Sequence, residues 1–401
     1  MRTFTGLALA CLLLSACAST PLPVHNPAMA WVDLETQTGK LVMAERLDNQ
    51  RTADGRYFQV TPGSHELMVR FDYEVFIGGM SQFSNPQERL CYLTLNYADF
   101  QPGQRYRLQA RSLGFNAYAR LFNRQSRKRA WQVGKEHYDI GNDLFRAMLD
   151  PYMQYSCGYW KDADTLEQAQ QAKLKMICEK LQLKPGMSLL DIGCGWGGLA
   201  QYAAENYGVS VYGVTISAEQ QKLAQERCQG LDVEIQLQDY RDLDRQFDRI
   251  VSVGMFEHVG PKNYDTYFRV AARNLKPDGL FLLHTIGANQ TNLHVDAWID
   301  KYIFPNGCLP SVRHISEASE GRFVMEDWHN IGADYDRTLM AWYENFKRAW
   351  PQLAEEYSER FERMFTYYLN ACAGAFRARD IQLWQVLFSP KGVDGGVRVY
   401  R

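Results

Sequence analysis

Read for the spacing of its apolar positions, the chain changes character twice. Phe4 to Leu14 is one apolar run behind a single charge, Arg2, and the pattern is broken by Cys17. From 18 to 111 the apolar residues recur at period two: Leu67, Val69 and Phe71 follow the turn Pro62-Gly63, while Tyr92–Tyr97 and Tyr106–Leu108 flank a second turn at Pro102-Gly103. That spacing predicts a small antiparallel β module. Residues 112–135 interleave Leu113, Tyr118, Leu121 and Phe122 with six cations and no acid. As a helix this segment has an apolar and a basic side, as a membrane-contacting element has; a solvated linker is the plainer reading. From 136 to 401 short apolar strands alternate with helical stretches: Ser188–Ile192, Val209–Val214, Val233–Leu237, Phe247–Val253 and Leu280–His284. The tail is helical and rich in aromatics, which are expected to be mostly core.

Composition narrows the classes. The 401 residues carry 44 basic and 46 acidic side chains, so charge-driven nucleic-acid binding is not the default. No apolar run reaches the roughly 20 residues of a spanning helix. The nine cysteines form no C-x-x-C pair and no zinc-ligand spacing, so no metal is expected, and scattered thiols fit a reducing compartment. The N-terminus points elsewhere. Leu14-Ser15-Ala16-Cys17, after a charge and an apolar run, resembles a bacterial lipobox, which is cut before a lipid-bearing cysteine; residues 1–17 are then a signal.

The sharpest local signal is Gly193-Cys194-Gly195-Trp196-Gly197-Gly198, set between the strand ending at Ile192 and a helical stretch from Leu199. Such a turn lets a ligand approach the backbone at a helix N-terminus. The glycines alone also satisfy the dinucleotide pattern. Two neighbours decide otherwise. Asp191 stands ready for a ligand ammonium, and the next strand ends in Thr215-Ile216-Ser217 instead of the carboxylate that NAD folds use. S-adenosylmethionine (SAM) is therefore preferred. Glu257 and His284 follow two later strands, and the topology predicts that they converge beyond the strand ends.

At this point residues from about 114 to 401 resemble the bacterial cyclopropane-fatty-acyl-phospholipid synthases. The likeness runs through Lys135 to Asp139, Gln154 to Cys157, the glycine loop, Thr215 to Gln220, Met255 to Gly260, Trp328 to Asn330 and Tyr368 to Arg377. It implies an α/β, Rossmann-like SAM-dependent methyltransferase fold with extra helices, behind the β module. It also implies methylene transfer from SAM to the cis double bond of phospholipid acyl chains, with the bilayer as partner. By this resemblance Tyr155, Ser156, Leu190, Asp191, Gly193, Gly195, Gly197, Gly198, Thr215, Ser217, Gln220, Tyr240 and Arg241 contact SAM. Cys157, Glu257, His284, Tyr335 and the Ile286 backbone match a bicarbonate cage. Cys372 matches a cysteine assigned to the active site in the family.

The chemistry fits these roles. Methyl transfer to an alkene leaves a carbocation, and ring closure needs a base and exclusion of water. Glu257 cannot hold bicarbonate by charge, so it accepts the ion's O–H or orients His284, while His284 and Tyr335 donate. Phe256 and Tyr155 are candidates for cation–π contact. Cys157 reads as an ion contact and not a nucleophile, and Cys372, among small residues, as helix packing. His25, His65, His137, His258, His314 and His329 read as structural. The family's usual helical N-terminal domain, which supports its homodimer and bilayer binding, is replaced here by the β module. An active enzyme belongs at the cytoplasmic side of the inner membrane, where SAM is made, whereas a processed Cys17 places the chain outside. A fused reading frame is the explanation preferred over a failed signal or an inactive export. The rival functions are an inactive envelope lipoprotein and a lipid methyltransferase that leaves the ring open.

Overall fold

The computed structural model describes residues 22–36, 41–75, 87–110, 123, 125–126, 141–292, 296–398 and 400–401. The apolar run with Cys17, most of the basic segment 112–135, and the Lys135 to Asp139 motif lie outside the described residues. The chain divides into two compact units, Met1–Arg111 and Ser112–Arg401.

In the first unit the period-two positions do what alternation requires: Leu67, Val69 and Phe71 are buried on one face of β5 (Gly63–Val75). Strand β5 pairs antiparallel with β2 (Leu41–Leu47) and β6 (Gln87–Phe100), and β2 with the short β3 (Gln50–Arg51). A second sheet sets β1 (Ala30–Thr36) between β4 (Tyr57–Val60) and β7 (Arg105–Ala110). The β1–β7 pair is parallel, unlike every other pair among the described residues of this unit. The turn at Pro102-Gly103 does not fold the chain back on β6. The Gly103 N–H donates to the Met29 carbonyl and the Trp31 N–H to the Gln104 carbonyl, which delivers β7 to the edge of β1. Val32, Phe58 and Val60 of one sheet share a core with Val42, Leu67, Val69 and Phe71 of the other. His65 is held between Asp48, at 2.6 Å, and Thr61, a structural role as expected.

The second unit is built on a seven-stranded sheet in the order β10-β9-β8-β11-β12-β14-β13. Its strands are β8 (Ser188–Ile192), β9 (Ser210–Thr215), β10 (Val233–Leu237), β11 (Phe247–Val253), β12 (Leu275–Ala288), β13 (Val324–Asn330) and β14 (Ile381–Ser389). The first five in that order are parallel, and β14 runs antiparallel to both its neighbours. Apolar runs without alternation follow from cover on both faces. Along β12, Leu280 and Leu282 pack in one cluster with α2 (Leu166–Lys180) and α3 (Gly198–Tyr207). Phe281 and Leu283 face the other way, toward α5 (Tyr264–Asn274) and α7 (Val312–Ser319); α4 (Ala218–Arg227) and α6 (Ala297–Tyr302) complete the series between them.

Strand order reverses at β8, and ligands of such sheets sit beyond the strand carboxyl ends at that point. A third cluster caps that region. It gathers α1 (Asn142–Met148), α8 (Gly332–Leu353) and α9 (Glu359–Arg377) around Trp342, Phe346, Phe365, Tyr368 and Phe376. Trp196 of the glycine loop and Ile286 at the end of β12 pack against it. The tail aromatics are thus mostly core, and Tyr367 stays exposed. No helix among the described residues is long and apolar enough to cross a membrane.

Candidate active site

Strand β8 ends on Asp191 and Ile192, and the chain then turns through Gly193, Gly195 and Gly197, with φ of 87°, 54° and 78°. These values suit glycine and few other residues. At Gly198, which opens α3, a side chain would stand 1.8 Å from the Tyr152 carbonyl oxygen. The N–H groups of Gly193 and Cys194 donate back to the Val214 carbonyl, locking the loop onto β9. Leu190, a predicted cofactor contact, is fully buried in the core beneath the loop, so its side chain supports the loop and does not line it. Asp191 is buried, and its Oδ2 has no hydrogen-bond partner among the described residues. Burial pushes its carboxyl up to about 7, against the pull of Lys173.

The groups after β9 and β10 are mutually engaged. The Thr215 hydroxyl donates to Gln220 Oε1 at 2.9 Å, and Ser217 caps α4 by accepting from the Gln220 N–H. Arg241 is bonded to Asp239 through Nε and Nη2 at 2.8 and 2.7 Å. Tyr240 is buried edge-on to Tyr267.

Glu257 sits on the turn Phe256–His258 after β11, and His284 near the end of β12 opposite Val253. Both are buried, as the topology predicts for one end of the sheet. The Ile286 N–H donates to Glu257 Oε1 at 2.6 Å, while Oε2 is buried without a partner among the described residues. Burial pushes this carboxyl up to about 7. Of the Ile286 backbone, expected to meet the ion, the N–H is bonded to Glu257. His284 is oriented by Gln385, whose Nε2 lies 3.3 Å from Nδ1, because antiparallel β14 places Gln385 directly across. The His284 Nε2 is buried with no partner among the described residues, and burial holds the ring far below the usual imidazole range, so it is neutral. Phe256 stacks on Tyr264 at 4.4 Å, inside the core, and does not face a ligand.

Cys157, Tyr335 and Cys372 come from the capping cluster. Cys157 lies near the Ile331 carbonyl and Thr338 on α8, fully buried. Burial raises its thiol well above the usual range, which makes a thiolate nucleophile untenable and leaves a weak donor. Tyr335, one turn into α8, is buried against Phe376 at 4.5 Å; Cys157, Tyr155, Glu257 and Cys372 all lie near enough to raise its hydroxyl further. Cys372 packs against the same cluster, its thiol pushed up to about 12. Tyr155 meets Tyr368 hydroxyl to hydroxyl at 2.9 Å, among the rings of Phe145 and Trp342. The Ser156 hydroxyl accepts from Lys173. Among the described residues no cluster of His, Cys, Asp or Glu has the makings of a metal site.

The family profile of mycolic acid cyclopropane synthetases matches residues 125–386. The chain belongs to that family. Cyclopropane-fatty-acyl-phospholipid synthase of Escherichia coli strain K12 is 79% identical over 285 residues, covering 71% of this chain and 74% of that protein. The cyclopropane synthase MmaA2 from Mycobacterium tuberculosis superposes with a TM-score of 0.61 at 34% identity, over 64% of this chain and 97% of that one. Mycolic acid cyclopropane synthase CmaA1, solved with SAH and CTAB, gives 0.61 at 35%, with the same coverage. The fold is accordingly that of the SAM-dependent methyltransferases. The cyclopropane synthetase match begins after the first unit, at residue 125.

Sequence reasoning missed Lys173 and Gln385 as parts of this cyclopropane synthetase site. Lys173 had a signal: it falls at helical spacing on the stripe Leu166, Ala169, Gln170, Leu174, Ile177, all buried. Gln385 had none, since only the strand register gives it a neighbour.

Proposed function

We propose that this chain transfers a methylene group from SAM across the cis double bond of unsaturated acyl chains in membrane phospholipids, closing a cyclopropane ring with bicarbonate as base. One observation carries the reading. Asp191 Oδ2, Glu257 Oε2 and His284 Nε2 are buried polar atoms without partners among the described residues, at the carboxyl end of one sheet. Such atoms are costly unless a ligand satisfies them. The residues therefore fit both groups.

SAM, when bound, supplies an electrophilic methyl. Asp191, ionised, takes its ammonium, and the glycine loop admits its backbone-hugging parts at the start of α3. Bicarbonate, when held, supplies a proton acceptor. His284 donates to it from Nε2, since the Gln385 amide occupies Nδ1 and the ring is neutral. Tyr335 donates its hydroxyl and Cys157 its thiol. Glu257, with its Oε1 fixed by Ile286, presents Oε2 to the ion's O–H, or donates when protonated. The rings of Tyr155, Tyr335 and Trp342 keep water off a cationic chain and face it with π-density.

SAM chemistry assigns this work to the cytoplasmic face of the inner membrane, with the chain peripheral to it. Intact mass of the chain purified from cells tests that: a retained Met1 supports it, and a lipid-bearing Cys17 refutes it. The activity itself is tested with the full chain, SAM and vesicles of unsaturated phospholipid. The expected product gains one CH2 per modified acyl chain and shows ring protons by NMR. A gain without ring protons makes it a simple lipid methyltransferase; bound SAM with no gain makes the unit inactive.

A further inference from the structure

Helix α2 carries a lysine on its inward face. Lys173 is fully buried, yet its hydrogen-bond acceptors are neutral oxygens, Gln154 Oε1 at 2.5 Å and Ser156 Oγ at 2.9 Å. An ammonium taken out of water persists only where dipoles and nearby negative charge offset its desolvation. Its two acceptors bracket Tyr155, and the next residue is Cys157. One turn earlier, Gln170 donates to the Ser156 carbonyl at 2.8 Å, so the same helix face grips this segment twice. The charge also acts on both halves of the site. Asp150, Cys157 and Asp191 all favour it against burial, which lowers the ammonium to about 8, and it in turn draws the Asp191 carboxyl down and adds to the burial that keeps the His284 ring neutral.

The location answers a difficulty in the chemistry. A cage that contains the Glu257 carboxyl has no cation among its own members, yet it is asked to hold an anion. We propose that Lys173 is a positioning residue of this site: it fixes the Gln154–Cys157 segment and supplies the buried positive charge that lets the cage accept bicarbonate. This rests on the bicarbonate reading above. Lys173 touches neither the ion nor the acyl chain; it acts through Ser156 and its neighbour Cys157, and through its field.

The test uses the full chain with phospholipid vesicles in buffer stripped of carbon dioxide, with bicarbonate added back. Wild type, K173M and K173Q are compared for the bicarbonate concentration at half-maximal turnover, with thermal melts as the check on folding. Both variants should melt near wild type and need at least about tenfold more bicarbonate, the scale of one buried charge interaction. An unchanged half-saturation in folded K173M overturns the proposal. So does recovery of the wild-type value in K173Q, which keeps a donor without the charge. Failure of both variants to fold also overturns it, reducing Lys173 to a strut. A wild type indifferent to bicarbonate refutes the ion assignment and with it this role, whereas a responsive wild type beside an unaffected K173M refutes only the role of Lys173.

Discussion

Replacing Glu257 by glutamine separates what this side chain does for the reaction from what it costs the fold. Its carboxyl is buried, bonded through Oε1 to the Ile286 N–H, and lifted by burial from 4.5 to about 7. Folding therefore favours the protonated form. The contribution to stability is whole at pH values below the unfolded pKa and is lost as pH rises through the folded one. At about 1.4 kcal/mol per pKa unit, the ionised group costs the native state about 3 kcal/mol by pH 8. Glutamine keeps the bond from Ile286 and has nothing to titrate. Any constant offset from burying its amide is the same at every pH. Urea unfolding of the full chain, followed by tryptophan fluorescence, should thus show Glu257→Gln gaining about 3 kcal/mol on wild type between about pH 4 and pH 8. Over the same range turnover should fall by about 10²–10⁴, the usual worth of a positioned acid–base group. A stability difference that stays flat with pH refutes the assignment of a buried, unpaired carboxyl. A flat difference together with full activity removes Glu257 from the site.

Other consequences are open to measurement. Asp191 is lifted to about 7 and must be ionised to meet an ammonium, so SAM affinity by calorimetry should fall about tenfold per pH unit below that value; Asp191→Asn should bind more weakly and lose the pH slope. Gly198→Ala drives a methyl into the Tyr152 carbonyl, 1.8 Å from its ideal position. That should cost about 1–3 kcal/mol in urea unfolding and weaken SAM binding, and unchanged values in both assays would contradict the close approach. Thr165 and Gln168 close a reciprocal cap at the start of α2. Thr165→Ala should cost about 1 kcal/mol and leave the SAM affinity near wild type, since Thr165 is exposed and its cap bonds stay within the start of α2.

The sequence by itself determined the strands of the second unit and the nature of its main loop. Strands β8, β10 and β11 begin and end where the apolar runs do, at 188–192, 233–237 and 247–253. A strand buried on both faces between turn residues needs no distant information to be read. The glycine loop was legible for the same local reason, since positive φ and close approach limit the residue to glycine. Strand β12 is longer than its apolar centre suggested, running from Leu275 to Ala288, because β11 pairs with it at Leu275 and β14 extends it through Ala288. What only the tertiary structure decided is who meets whom. Antiparallel β14 brings Gln385 to His284 across a hundred residues, the turn after β11 delivers Glu257 to the Ile286 amide, and β7 runs parallel to β1 because its turn is tied to Met29 and Trp31. Helical spacing sets Lys173 on the buried stripe of α2 and Lys175 off it, but only the packing shows that Lys173 meets Gln154 and Ser156 there. Periodicity reports the face a residue presents; the register between elements, set by packing over long loops, selects the partner.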